Sequence, residues 1–67
     1  MHDAGLRPLR IQIVEDEPIG ALDLRSGLEQ LGYEVVGIAA NEPEALSLAD
    51  RQQPDLVLMD IHLDQGS

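Results

Sequence analysis

Residues 9–18 read LRIQIVEDEP and contain the most informative pattern in the chain. Four of the first six residues of this segment are apolar and three of those are β-branched, which predicts a strand. Three acids end the strand. Pro18 then suits the first turn of a helix, because its missing N–H breaks no helical hydrogen bond there. The segment therefore predicts a strand that passes through an acidic loop directly into a helix.

Two helices are predicted downstream of the first strand. The first runs from about Pro18 to Leu31, where Gly32 supplies the left-handed residue that ends it. The second begins at a capping box formed by Asn41 and Glu44 and stops before Pro54. The apolar positions expected to face the core are Ala21, Leu24, Leu28 and Leu31 in the first helix and Ala45, Leu46, Leu48 and Ala49 in the second.

Two further strands are short and apolar. One covers residues 35–39, and the other covers residues 56–59, whose four consecutive apolar side chains are typical of a strand covered on both faces. The order strand, helix, strand, helix, strand predicts an α/β fold with a parallel sheet and right-handed crossovers. If the first strand lies between the others, the strand order is 2-1-3.

Composition narrows the possible functions. The chain has 67 residues with 13 acids against four arginines and no lysine, so its formal net charge is −9. We expect no direct contact with nucleic acid, since such binding depends on Lys and Arg neutralising phosphates. The absence of Cys excludes disulfides and thiol nucleophiles.

No signal peptide or membrane-spanning segment is evident in the sequence, so we expect a cytoplasmic protein without membrane contact. Residues 1–8 show no periodicity and are predicted to be a flexible leader.

Acids follow both of the strands predicted to be neighbours. Glu15 and Asp16 follow the first strand, and Asp60 follows the third. Ligands gather beyond the carboxyl ends of parallel strands, so these side chains are expected to converge. Two carboxylates 4 Å apart repel by roughly 4 kcal/mol at an effective dielectric constant of 20, which a cation would offset. Oxygen ligands favour Mg²⁺, with Mn²⁺ as a substitute, and a carboxylate beside that cation can attack a phosphoryl group.

Two segments resemble the N-terminal signatures of response-regulator receiver domains: residues 13–17 (IVEDE) and residues 56–60 (LVLMD). The resemblance extends over about residues 9–66. It implies a flavodoxin-like (CheY-like) doubly wound parallel sheet, of which this chain would form the N-terminal β-α-β-α-β portion. Residues 9–67 are therefore expected to be the N-terminal half of a receiver domain, truncated after the third strand.

The resemblance also implies roles for individual residues. Asp60 would be the phosphoacceptor and a metal ligand, Asp16 would bind Mg²⁺ directly, and Glu15 would act largely through water. The backbone carbonyl of His62 would complete the metal site. The phosphoryl group would come from a sensor histidine kinase or a phosphotransfer protein. Such a module is not an enzyme, apart from catalysing its own phosphorylation and dephosphorylation.

The sequence departs from the family pattern at residues that the family uses around the phosphoryl group. The family's later strands supply a Ser or Thr and then a Lys that contact the phosphoryl group, whereas this sequence contains no Thr and no Lys. Asp64 stands where the family usually has Pro. The chain alone is therefore not expected to undergo the change in conformation that phosphorylation causes in a complete receiver domain. Its third strand is also expected to present an apolar edge at which another copy could pair.

Other functions fit parts of the pattern. A phosphohydrolase of the haloacid-dehalogenase type could use Asp60 as its nucleophile, but it needs Asp where this chain has His62. A dinucleotide-binding domain needs glycines in the first strand–helix turn, where residues 15–18 read EDEP. A non-phosphorylated interaction module, in which the acids only face solvent, stays open, and titration with Mg²⁺ would distinguish it.

Overall fold

A computed structural model describes residues 7–59, and the elements in that range alternate between strand and helix. They are β1 (Arg10–Val14), α1 (Pro18–Gln30), β2 (Glu34–Ala39), α2 (Glu42–Gln52) and β3 (Leu56–Met59). The three strands of this range pair in parallel in the order β2-β1-β3. The predicted α/β architecture and the predicted strand order are therefore confirmed.

The central strand carries the core. Ile11, Gln12 and Ile13 are buried, with exposed fractions of 2%, 0% and 0%. Successive side chains of a strand point to opposite faces, so Gln12 faces away from its two isoleucine neighbours. The Nε2 atom of Gln12 donates to the carbonyl of Ala45 in α2 at 2.9 Å. This bond places α2 on the Gln12 face, which leaves the isoleucine face for α1 and its buried Ala21.

Each end of α1 is set by a local signal that the sequence contains. Pro18 occupies the first turn, and the carboxylate of Glu17 caps the helix by accepting from the N–H of Gly20 at 2.6 Å. Gly32 has a φ of +97°, a conformation that glycine adopts without the steric cost that other residues meet. The predicted bounds of the helix are thus correct to within one residue.

The capping box of α2 forms with one shift from the expected pattern. Asn41 Oδ1 accepts from the N–H of Glu44 at 2.9 Å, as predicted. The reciprocal bond of the box is shifted: Glu44 Oε1 accepts from the N–H of Ala40 at 2.9 Å, one residue before the capping residue Asn41. At the other end, Gln53 adopts a left-handed conformation with a φ of 50°, and Pro54 follows it.

Two leucines expected in the core are exposed, so those predictions were wrong. Leu31 is 74% exposed because it is the capping residue after the last turn of α1. Leu46 is 67% exposed, since a helix turns about 100° per residue and the neighbouring Ala45 is the residue that faces the sheet. Neither α1 nor α2, the helices of the described range, is long and apolar enough to cross a bilayer.

The expectation that β3 is covered on both faces was also wrong for residues 7–59. Leu56, Val57 and Met59 are 46%, 41% and 57% exposed. The reason is that α1 and α2 pack on β1 and β2, and neither of them contacts β3. Within the described part of the chain, β3 is therefore held by its pairing with β1.

A polar cluster fastens the amino edge of the sheet, by which we mean the side where its parallel strands begin. This side is opposite residues 15–17, which follow the end of β1. The carboxylate of Asp55 accepts hydrogen bonds from the Arg7 guanidinium at 2.8 and 3.2 Å and from the Arg10 N–H at 2.8 Å. The Arg10 guanidinium donates in turn to the carbonyl of Gln53 at 3.0 Å. The cluster joins the beginnings of β1 and β3 to the end of α2. Arg7 takes part although it belongs to the segment predicted as a leader.

The Asp55 cluster predicts a defined acid sensitivity. Hydrogen bonds from Arg7 and then from the Arg10 N–H lower the pKa of Asp55 from 3.8 to about 2. Because the folded pKa lies below the unfolded one, the contribution of Asp55 is complete above about pH 4 and is lost as the pH falls towards 2. We expect Asp55→Asn to lower the urea midpoint at neutral pH. The difference in midpoint between the variant and the wild type should shrink as the pH falls from about 4 towards 2.

The matched control is Glu29→Gln, which removes an exposed acid that pairs with Arg25 at 3.3 Å within α1. This variant should change the urea midpoint little at any pH, because exposed helical pairs contribute little to stability. A difference between Asp55→Asn and the wild type that stays constant from neutral pH down to about pH 2 would contradict the assignment.

Candidate functional site

The carboxyl ends of β1 and β3 lie side by side. Val14 and Met59 are the last residues of their strands and are register partners. Adjacent strands are about 4.8 Å apart. Glu15 follows Val14 in the sequence, and Asp60 follows Met59. The structure thus shows that β1 and β3 end side by side, as the strand order predicted, while Asp60 itself lies outside the described residues.

Glu15 is the buried member of the acidic loop, which we define as residues 15–17. Only 4% of the residue is exposed. Its N–H donates to the carbonyl of Ala39 at 2.9 Å, which continues the bonding between β1 and β2 past the end of β1. Its Oε2 atom accepts from the N–H of Glu17 at 2.8 Å. These two bonds hold the Glu15 carboxylate at the edge of the sheet.

Asp16 is exposed and lies between the two hydrogen-bonded residues of the acidic loop. The neighbouring carboxylates therefore differ in access to solvent. An exposed carboxylate is accessible to a hydrated ion, whereas the Glu15 residue is almost fully buried. The division between a direct ligand and a partner that acts through water stays a prediction.

Glu17 was not predicted to belong to the site, and its carboxylate is engaged in capping α1. Its N–H nevertheless contacts the carboxylate of Glu15. The sequence carried a signal for the cap, since an acid before a helix with Pro in its first turn favours the positive end of the helix dipole. It carried no signal for the contact with Glu15.

The donor set of the acidic loop fits a hard divalent cation. Glu15 and Asp16 offer carboxylate oxygens, which are the ligands that Mg²⁺ prefers. Within residues 7–59, no group of three or more His, Cys, Asp or Glu forms a complete metal cluster. Asp60 and His62 lie outside the described residues, so their roles stay predictions. The described residues can supply part of a Mg²⁺ site.

An apolar groove of about 410 Å³ borders the acidic edge. It is lined by Val14, Glu42, Ala45, Leu46 and Met59. The sequence did not reveal this groove, because Leu46 and Met59 were assigned to the core. Its position places an apolar surface next to the end of β3 and beside the beginning of α2.

Charge is divided between the two edges of the sheet. The acidic loop and the first-turn acids of α2, Glu42 and Glu44, stand at the carboxyl edge. Arg7 and Arg10 stand at the amino edge with Asp55. The carboxyl edge of the described residues is therefore suited to a cation.

The chain matches a family model and several known proteins. A family model described as the response regulator receiver domain matches residues 11–67. The transcriptional regulatory protein PdtaR of Mycobacterium tuberculosis is 45% identical over 56 residues, which is 84% of this chain and 27% of PdtaR. The phyllosphere-induced regulator PhyR of Methylorubrum extorquens is 45% identical over 58 residues, which is 85% of this chain and 22% of that protein.

A solved structure agrees with these relatives. The crystal structure of the response regulator PhyR from Brucella abortus matches with a TM-score of 0.79 and 48% identity, covering 90% of this chain and 25% of that one. The chain thus spans about a quarter of the length of these relatives. The family match covers most of the chain and includes the predicted site residues Glu15, Asp16, Asp60 and His62. The chain belongs to the response regulator receiver domain family.

Proposed function

We propose that this chain is the phosphoacceptor segment of a two-component response regulator and that Asp60 accepts the phosphoryl group. The donor is a sensor histidine kinase or a phosphotransfer protein, and the location is the cytoplasm. The observation that carries the proposal is the register of Val14 with Met59, because it brings the acidic loop to the strand end that Asp60 follows. Membership of the receiver family supports the same assignment.

The acidic loop has the donors for a Mg²⁺ site, and Mn²⁺ can replace Mg²⁺ there. Asp16, which is exposed, would be the direct ligand, and the buried Glu15 would act through water. Asp60 and the backbone carbonyl of His62 complete the set. When bound, the ion supplies positive charge for the phosphoryl oxygens.

The chemistry of transfer is a nucleophilic substitution at phosphorus. A carboxylate oxygen of Asp60 bonds to phosphorus while the bond from phosphorus to the donor's imidazole nitrogen breaks, which leaves an acyl phosphate on Asp60. Each carboxylate 4 Å from the new group would repel it by roughly 4 kcal/mol at an effective dielectric constant of 20. Counter-charge is therefore needed, and Arg7 and Arg10 lie at the opposite edge.

The chain is consequently a signalling module that catalyses no reaction beyond its own phosphorylation and dephosphorylation. The 67 residues contain no Lys, so the bound cation would supply the counter-charge beside Asp60. The new charge on Asp60 alters an output surface in the longer protein.

Phosphorylation with phosphoramidate, a small donor with a phosphorus–nitrogen bond, tests this assignment. Long incubation with Mg²⁺ should add one phosphoryl group, detected by mass spectrometry and removed by hydroxylamine. Asp60→Asn should lower the rate at least about a hundredfold, because the nucleophile is lost. Asp64→Asn, the matched control, should label like the wild type. Labelling of Asp60→Asn at the wild-type rate would show that the acceptor is another residue.

We also propose that the 67-residue chain associates with a second copy through β3. In the described residues β3 is the last strand on its side of the sheet, and it carries no charge. Its backbone groups on the side away from β1 form a template for strand pairing, and its exposed apolar side chains add a hydrophobic contribution. The net charge of −9 opposes association, so the dimer should strengthen with added salt.

Sedimentation velocity over a range of concentrations measures this association. The wild-type chain should sediment faster as its concentration rises, whereas Val57→Lys should remain monomeric because a charge on an edge strand opposes pairing. Leu31→Lys is the matched control, since it makes the same kind of change at an exposed site away from β3. A folded wild-type monomer at every concentration would refute the proposal.

A further inference from the structure

Two of the hydrogen bonds that hold the acidic loop are made by the N–H and the carboxylate of Glu17. The N–H of Glu17 donates to Glu15 Oε2 at 2.8 Å, and Glu17 Oε1 accepts from the N–H of Gly20 at 2.6 Å. Asp16 lies between these two bonds. The backbone on either side of Asp16 is therefore fastened, first to the carboxylate that precedes it and then to the first turn of α1.

Glutamate is an unusual residue at a helix cap, where Ser, Thr, Asp and Asn are preferred. Its additional methylene group must fold back for the carboxylate to reach the helix. Gly20 leaves the space for this arrangement. A Cβ atom at position 20 would lie 3.2 Å from Glu17 Oε1 and 3.9 Å from Cδ of Glu15. The contact with Glu17 Oε1 would be tight, whereas the distance to Glu15 is an ordinary van der Waals contact, so the missing side chain at position 20 makes room for the Glu17 carboxylate.

We propose that Glu17 and Gly20 act as a positioning pair that holds the acidic loop in the conformation needed for cation binding. Glu17 is a positioning residue and not a ligand, because its carboxylate is engaged by the helix. The inference rests on the proposed Mg²⁺ site, and it adds a residue outside the predicted ligand set. It also explains why a glycine stands in the first turn of α1, where glycine is a weaker helix former than alanine.

Two neutral substitutions at position 17 distinguish the effect of the helix cap on Mg²⁺ binding from the effect of the negative charge. Glu17→Ala and Glu17→Asn both remove one negative charge from the loop, but only Asn keeps an oxygen that can cap the helix. In a Mg²⁺ titration of the full 67-residue chain, Glu17→Ala should bind with a Kd roughly threefold weaker than Glu17→Asn. Equal Kd values for the two variants would overturn the inference.

A readout without metal keeps this test independent of the proposed function. Amide hydrogen exchange at positions 17 and 20, measured relative to the intrinsic rate of each residue type, should be faster in Glu17→Ala than in Glu17→Asn. The reason is that loss of the cap also loosens the loop. If the wild type showed no response to Mg²⁺, the proposed function would be wrong, and the exchange rates would still decide whether Glu17 holds the loop. Identical exchange in both variants would show that it does not.

The substitution Gly20→Ala completes a double-mutant cycle. In the wild-type background the added Cβ crowds Glu17 Oε1, so Mg²⁺ binding should weaken and exchange at Glu17 should accelerate. In the Glu17→Ala background the crowded carboxylate is gone, so the same change should have neither effect. Equal effects of Gly20→Ala in both backgrounds would contradict the proposed pair.

Discussion

β1 pairs in parallel with a strand on each side, and this double pairing positions the other features of the described chain. It places Ile11 and Ile13 at the centre of the sheet, where both are buried, and sets Val14 beside Met59. The direction of the strands then decides that the acidic loop and the end of β3 share an edge. Any change that shifted the register of β1 with β3 would separate the parts of the candidate site.

The amino and carboxyl edges of the sheet differ in how their acidic side chains are bound. At the amino edge, Asp55 accepts from the Arg7 guanidinium and the Arg10 N–H and fastens the start of β3. At the carboxyl edge, the acidic loop is held by backbone N–H groups and by the cap of α1. The amino edge therefore contributes stability, while negative charge is concentrated at the carboxyl edge, where a divalent cation would reduce the repulsion.

Local patterns in the sequence were enough to predict the elements and their order. Pro18, Gly32 and the Asn41–Glu44 box act within one turn of the chain, so the helix ends followed from neighbouring residues. Parallel topology followed from the alternation of strands and helices, and it brought Glu15 and Asp16 to the correct edge. These steps need no knowledge of packing between distant residues.

Features that depend on packing between distant residues could not be predicted. Arg7 and Asp55 are 48 positions apart, and no local pattern links them. Leu46 is apolar like Ala45 and Leu48, and only the rotation of α2 about its axis shows that it faces solvent. The contact of Gln12 with Ala45 is another such case, because a polar side chain in the central strand looks exposed in the sequence.

The central claim is that the acidic loop beside the end of β3 binds Mg²⁺. It is tested most directly by titrating the isotope-labelled chain with Mg²⁺ and following its backbone amides by NMR. The account predicts saturable shifts confined to residues 14–17 and to the end of β3. Asp16→Asn should weaken binding by at least about tenfold, whereas Glu29→Gln, at the far end of α1, should leave it unchanged. Shifts spread evenly over the acidic surface, or equal binding by wild type and Asp16→Asn, would contradict it.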